Sequence, residues 1–379
     1  MKPVSPARAL TIARAFSLPG VPTLATPFGS GHINDTFLVS PGSEGVVVRY
    51  VLQRINSDVF SEAEKVMENV ERVTTHLTHL LEAEGRPDAS RRALRLVPSR
   101  EGRYFTRDEE GHVWRIYHEI PGSRTWDVAG SADRAREAAR AYARFSRQMA
   151  SLPGERLNET IPSFHDTRSR FSAFTRAVER DPLGRAGEAN REIAAFARRE
   201  ALTLALSKPM AAGQLVEGVA HNDTKVNNVL FDETTGEGLC VLDLDTVMPG
   251  FFLNDFGDLV RSASNPARED GSDLTAVRVD EEVFESLVQG TMDELGDVLT
   301  PLEQSLLVTS GKVLCYELGM RFLTDFLLGD CYFRIHRRGQ NLDRARVHLA
   351  LLESMEEREE SLEEIAARAE REVRKDRHG

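Results

Sequence analysis

Cysteine is scarce. The 379 residues hold only three, Cys240, Cys315 and Cys331, too few and too scattered for a disulfide framework or a zinc site. The expectation is a reducing, cytoplasmic setting in which each is a small buried hydrophobe. Positive charge is also in deficit: 48 Lys and Arg stand against 60 Asp and Glu, a formal net charge of −12. A nucleic-acid binder carries a basic face, so nucleic acid is excluded as the main partner. No apolar run approaches the roughly 20 residues of a membrane-spanning helix, and no membrane partner is expected. Acidic residues are missing before Asp35, and Arg8 and Arg14 among Ser and Ala faintly resemble an organellar transit segment. The plainer reading is a short amphipathic helix over residues 7–16 that leads into the first strand.

What is present is ordinary for a chain that buries a large core, 41% hydrophobic and 28% charged. At roughly 150 residues per domain, the length suggests two or three domains or one two-lobed unit. The first third reads as strands around one helix. Residues 22–28 and 35–39 flank Gly29-Ser-Gly-His-Ile-Asn34, which predicts a hairpin. Residues 46–54 are rich in β-branched types, and 94–97, 103–106 and 112–118 are further strands. Val66, Val70, Val73, Leu77 and Leu80 form one stripe of a helix over 61–83. From about residue 130 helical spacing takes over, in runs at 131–151, 168–180, 188–207, 279–295, 301–329 and 340–375. The last run carries Leu351, Met355, Leu362 and Ile365 under a Glu/Arg-rich solvated face. The order is a small sheet lobe followed by a large helical lobe, an α+β chain.

Between two helical runs lies a β-type segment, 219–245, that concentrates polar chemistry. His221-Asn-Asp-Thr-Lys-Val-Asn-Asn228 is followed by Val241-Leu-Asp-Leu-Asp245. An Asp, an Asn five residues on, and a strand-borne Asp have the spacing of a phosphoryl-transfer site. Asp223 would orient an acceptor hydroxyl and collect its proton. Asn228 and Asp243 would offer the oxygen ligands that Mg²⁺ prefers, with Asp245 as an additional metal-side carboxylate or one that supports those ligands from behind. Lys225 would offset charge during transfer. Taken singly, each residue is an ordinary turn or cap former; the joint pattern carries the argument. Asp255-Phe256-Gly257 spells a metal-binding triplet of protein kinases. It lies beyond the strand that Asp243 closes, so the metal is assigned to Asp243, and Asp255 or Asp258 is expected to cap the following helix. The turn Gly29-Ser30-Gly31 suits close approach of backbone N–H groups to phosphates, and His32 and Asn34 fall where they would line the cleft.

These segments resemble the phosphotransferase family that includes aminoglycoside phosphotransferases and choline kinases. Within it they are most similar to bacterial N-acetylhexosamine 1-kinases. Further matching stretches are Gly31–Asn34, Tyr50–Gln53, Phe164–Thr167, Asp245–Gly250 and Gly319–Leu323, so the likeness spans nearly the whole chain. The resemblance implies a protein-kinase-like bilobal fold, with a nucleotide lobe over 1–117 and a catalytic and substrate lobe over 118–379. It implies use of Mg²⁺ and ATP, with the γ-phosphate passing to the anomeric hydroxyl of N-acetylglucosamine or N-acetylgalactosamine; a monomer is favoured, although the sequence does not report oligomeric state. Other sugars, choline-like amino alcohols and aminoglycosides are the alternative acceptors, and a nucleotide-binding scaffold is the non-enzymatic one. By position, Asp223 matches the base and Asn228 with Asp243 the metal ligands. His32, Arg321, Tyr332 and the nearby Asp325 fall on the sugar side, unless the last three form a buried helix–helix network. Tyr117, Glu119 and Ile120 would form the hinge that meets adenine. One departure stands out. Gln53 occupies the strand position of the usual phosphate-binding Lys, and Gln cannot neutralise charge. Lys225, Arg49 or Arg54 would compensate, and Glu64, Glu68 or Glu71 would be the helix partner.

Overall fold

The structure, a computed structural model, describes residues 4–29, 33–41 and 48–376. Ser5 caps the first helix, α1 (Pro6–Ala13), and Pro6 occupies a first-turn position where its missing N–H is not needed. This helix, as read from the sequence, lays Ala9 and Ala13 against a five-stranded antiparallel sheet. In chain order the lobe comprises β1 (Pro22–Pro27), β2 (Asp35–Pro41), β3 (Tyr50–Arg54), helix α2 (Ala63–Ala83), β4 (Thr106–Arg107) and β5 (Val113–His118). The strand order is β1-β2-β3-β5-β4. The β1–β2 hairpin closes with Pro27 opposite Phe37, and Gly29 takes a φ of +80°, which a side chain disfavours. Ser30, Gly31 and His32 lie outside the described residues. Of the other expected strands, 94–97 contributes only a bridge at Leu96, and 103–106 shrinks to β4.

The second lobe begins with β6 (Ser123–Arg124), α3 (Ala132–Met149) and α4 (Thr167–Arg180). Next come α5 (Asn190–Ala197), α6 (Leu202–Ala205) and α7 (Ser207–Ala211). The polar segment then supplies β7 (Gly218–Ala220), β8 (Val229–Asp232), β9 (Gly238–Val241) and β10 (Met248–Gly250). The remaining helices are α8 (Phe252–Ala263), α9 (Glu281–Leu295), α10 (Pro301–Ser305), α11 (Leu307–Leu328), α12 (Gln340–Glu357) and α13 (Glu359–Asp376). Three runs that read as single helices are broken, the first at residues 198–201 and again at Leu206, the others at Leu306 and at Arg358. Apolar periodicity survives such breaks because the flanking helices keep burying the same face. Cys331 is exposed, contrary to expectation, whereas Cys240 and Cys315 are buried. Among the described residues no helix is long and apolar enough to cross a membrane.

α11 is apolar on nearly every face, as a central helix must be, and α4, α8 and α12 pack around it. α8 approaches it most closely at Gly257, where a Cβ would sit 2.5 Å from the Ser310 carbonyl oxygen. That contact fixes the height of α8 beneath the polar segment. Gly257→Ala is therefore expected to destabilise the protein by about 1–3 kcal/mol. Urea unfolding checks this, and an unchanged midpoint would contradict the packing described.

Candidate active site

The segment after β7 makes a tight loop because its backbone is held from below. His221 and Asn222 donate their N–H groups to the two carboxylate oxygens of Asp255, each at 2.7 Å. The Thr224 hydroxyl donates to the Asp255 carbonyl. Asn222 sits in the left-handed region at φ 63°, an unfavourable place for a side chain that these bonds over-determine. Asp255 thus corrects the expectation that it caps a helix: Phe251 is the N-cap of α8, and the Asp255 side chain points at the loop. Asp258 does not cap either, being paired with Arg261 at 2.7 Å. The His221 ring is buried and its tautomer follows from its neighbours. Nε2–H donates to the Leu242 carbonyl at 2.7 Å, while Nδ1 accepts from the Asp223 N–H at 3.3 Å. Tyr142 of α3 braces the far end, donating to the Lys225 carbonyl at 2.7 Å.

Asp223, Lys225, Asn228 and Asp243 come together at the loop's open side. Lys225 Nζ lies 2.6 Å from Asp223 Oδ1, and Asn228 Nδ2 donates to Asp223 Oδ2 at 3.2 Å. Burial pushes the Asp223 carboxyl up, but the charge and hydrogen bond of Lys225 with the His221 and Arg261 charges together outweigh it and hold Asp223 below the usual carboxylate range. Leu242, beside Asp243, donates its N–H to the Asn228 carbonyl at 2.7 Å, which fixes β9's end against the loop. Asp243 has a φ of 53°. Burial, then the charges of Asp245 and Asp223, push its carboxyl up to about 7. A cation beside Asp243 would reverse that push. Because Asn228 turns its amide nitrogen toward Asp223, its oxygen is the atom left for a metal. Among the described residues no three His, Cys, Asp or Glu side chains form a metal cage. One carboxylate and one amide oxygen fit Mg²⁺, which takes its other ligands from phosphate and water.

Asp245 has both carboxylate oxygens committed within the protein. Its Oδ1 is ion-paired with Arg115 and its Oδ2 accepts from Asn34 Nδ2 at 2.7 Å. Gln53 is likewise committed. Its Oε1 accepts from Arg115 Nε at 3.1 Å and Nη2 at 2.9 Å, and its amide nitrogen donates to the Thr36 hydroxyl. The cation that Gln53 meets is Arg115, its register partner across the pairing of β3 with β5. Arg49 pairs with Glu119 and Arg54 with Asp35 instead. Glu64 reaches only Arg103 and Arg107, and Glu68 bonds Asn158. α2 is tied to the second lobe by Asn69, whose amide donates to the Val247 and Asn158 carbonyls at 3.0 and 2.8 Å. At the hinge, Tyr117 lies between Val51 and Leu96, so its backbone is inside the sheet. Its buried hydroxyl has no hydrogen-bond partner. Glu119 N–H donates to the Arg49 carbonyl, and the Ile120 carbonyl accepts from Ser123.

A second face meets the loop through Phe164 and His165. His165 Nδ1 bonds Glu317 at 2.9 Å and Nε2 faces the Asn222 carbonyl at 3.2 Å. Burial lowers the imidazole's pKa, but the charge and hydrogen bond of Glu317 with the Asp258 charge together outweigh it and raise the net value. One helical turn on from Glu317, Arg321 lies over the rings of Phe164, Phe333 and Tyr332, at 5.1, 5.5 and 5.7 Å. Among the described residues it has no acid within ion-pair distance. Tyr332 is 61% exposed. Asp325 corrects its expected role: its oxygens accept the N–H groups of Cys331, Tyr332 and Phe333 and the Asn341 amide, all at 2.8–2.9 Å. It positions the aromatic segment and offers no free charge. The signal for Arg115 was available, since an Arg inside the apolar run Val-Trp-Arg-Ile-Tyr is buried only with partners. Asn69 and Glu317 gave no comparable signal.

A family model described as the phosphotransferase enzyme family matches residues 25–285. The chain belongs to this family. Among solved structures, this phosphotransferase resembles a microcompartment-associated aminopropanol kinase at 15% identity, covering 94% of this chain and 98% of that one with a TM-score of 0.58. It also resembles a spectinomycin phosphotransferase solved with ADP and spectinomycin, at 12% identity, 97% and 99% coverage and a TM-score of 0.56. A choline/ethanolamine kinase family protein from Mesorhizobium loti gives 16%, 96% and 98%, and 0.52. At such identities the likeness shows the fold, the two-lobed α+β architecture described above.

Two outcomes follow from the support beneath the phosphotransferase loop. Asp255→Asn turns an amide N–H toward a backbone N–H and is expected to cost about 1.5–3 kcal/mol in urea unfolding; a neutral effect would contradict the bonding described. His348 accepts from Arg261 at Nε2 and donates from Nδ1 to the Arg344 carbonyl, beside Glu269 and the Phe322 ring. Burial pushes it down to about 4. Its folded value lies below the unfolded one of about 6.5, so unfolding takes up a proton and stability falls as pH drops between about 6.5 and about 4. His348→Gln should flatten thermal stability in that window, and an unchanged pH profile would contradict the assignment.

Proposed function

We propose that this phosphotransferase is an ATP-dependent sugar kinase. It would pass the γ-phosphate to the anomeric hydroxyl of N-acetylglucosamine or N-acetylgalactosamine and yield the sugar 1-phosphate. The observation that supports transfer is the ionised Asp223 carboxylate, fixed by Lys225 and Asn228 and set beside Asp243. In this reading Asp223 accepts a hydrogen bond from the hydroxyl and orients its oxygen toward the γ-phosphorus. It takes the proton as the new P–O bond forms and the bond to ADP breaks. Asn228 and Asp243 would hold Mg²⁺, which when bound neutralises phosphate charge. Lys225 offsets charge as it builds. Adenine would meet the hinge at the Glu119 carbonyl and the Ile120 N–H, and the lobe boundary falls between Tyr117 and His118.

The acceptor class is supported by Arg321. A guanidinium without an acid partner donates hydrogen bonds to hydroxyl or acetamido oxygens and repels a cationic amino alcohol or aminoglycoside. The Phe164, Phe333 and Tyr332 rings around it suit the apolar face of a sugar. With Mg·ATP and a panel of N-acetylglucosamine, N-acetylgalactosamine, choline and kanamycin, ADP release is expected with the two sugars alone. Preference for choline or kanamycin would sink the acceptor assignment, and background release with every compound would mean a scaffold. Asp223→Asn should lower turnover by about 10² or more while Mg·ADP still binds; near-normal turnover would exclude Asp223 as the base.

A further inference from the structure

The cleft gathers three carboxylates, Asp223, Asp243 and Asp245, where a nucleotide would bring further negative charge. Lys225 stands against the first. The second cation is Arg115, 1% exposed, which projects from the middle of β5. Its bonds reach three separate parts of the site. Toward the second lobe it grips Asp245, two residues after Asp243, whose own backbone carbonyl is anchored by the Thr160 hydroxyl at 3.0 Å. Toward the sheet it grips Gln53, its register partner on β3. Through Asp245 it reaches Asn34, at the exit of the glycine turn, which also accepts the Asn56 N–H at 2.9 Å. These bonds use three of the five guanidinium N–H groups and leave one on each terminal nitrogen.

We propose that Arg115 is the positioning cation of the nucleotide site: one guanidinium on β5, through Asp245, Gln53 and Asn34, sets the start of β2 and the end of β3 against the metal-facing loop. This rests on the kinase reading above. It places the phosphate-side cation on β5, where neither Lys225, Arg49 nor Arg54 stands, and makes Asp245 its counter-charge rather than a metal ligand. It also separates α2 from that duty, since α2 is docked by Asn69 instead of by an acid–lysine pair.

The test measures Mg·ADP binding to the intact chain by calorimetry, independently of turnover. Arg115→Met strands a buried carboxylate and risks unfolding. Arg115→Met/Asp245→Asn removes both charges and keeps the comparison possible. Both are expected to bind Mg·ADP at least about tenfold more weakly, the usual cost of losing a residue that orients a metal site from behind. Adding Gln53→Lys to Arg115→Met returns a cation to the same spot from the paired strand. It should restore affinity to within about threefold of the original, which a merely space-filling role would not. A folded charge-free pair that binds Mg·ADP as tightly as the unaltered chain would overturn the proposal, as would a folded Gln53→Lys variant with no recovery. If the unaltered chain binds no Mg·ADP at all, the nucleotide reading itself fails and this inference falls with it.

Discussion

The site depends on a buried carboxylate that does no chemistry. Asp255 accepts the N–H groups of two successive residues, His221 and Asn222, and so holds the backbone just before Asp223 in a conformation it would otherwise leave. A left-handed Asn costs of order 1 kcal/mol or more. Two hydrogen bonds to an ionised group, each about 1.5–3 kcal/mol, exceed that. With the loop fixed, His221 can take only one tautomer, and Asp223 faces outward toward Lys225 and Asn228. The close approach of α8 to α11 at Gly257 puts Asp255 at the necessary height. A packing contact in the helical core is thereby connected to the aim of the Asp223 carboxylate.

Charge alternates through the cleft. Lys225 is set on Asp223 and Arg115 on Asp245, while Asp243 between them has no dedicated cation and is pushed toward neutrality. In a low-dielectric groove an uncompensated carboxylate favours its neutral form, and a cation beside it would favour the charged one. The acceptor side has the opposite character. Arg321 there lies over aromatic faces with no acid at ion-pair distance among the described residues, and the Asp325 carboxylate one turn on is spent on N–H groups. The two faces therefore suit a metal–nucleotide on one side and an uncharged, oxygen-bearing molecule on the other.

Much of this was legible in the chain. The alternating segments around Gly29 gave the hairpin, the stripe from Val66 to Leu80 gave α2, and the 221–245 segment put Asp223 and Asn228 on one loop with Asp243 at the end of a following strand. What escaped depended on contacts across the fold. Asp255 reads as a helix cap because caps and loop anchors use the same residue, and only its orientation tells them apart. Gln53 and Arg115 lie far apart in sequence and meet through strand register, which neither segment encodes alone. Asp245 looked like a metal carboxylate because its spacing fits one, yet its oxygens were already taken. Helix ends at Leu306 and Arg358 were hidden because the apolar stripe runs on across them.

The central claim is that the Asp223 loop is one half of a divalent-metal nucleotide site whose protein ligands are Asn228 and Asp243. Electron paramagnetic resonance of Mn²⁺, used in place of Mg²⁺ and titrated into the protein with and without ADP, tests it most directly. Tight binding only when ADP is present, lost in Asp243→Asn and in Asn228→Ala, is the expected result. Manganese that binds equally well without ADP, or that ignores both substitutions, would contradict it.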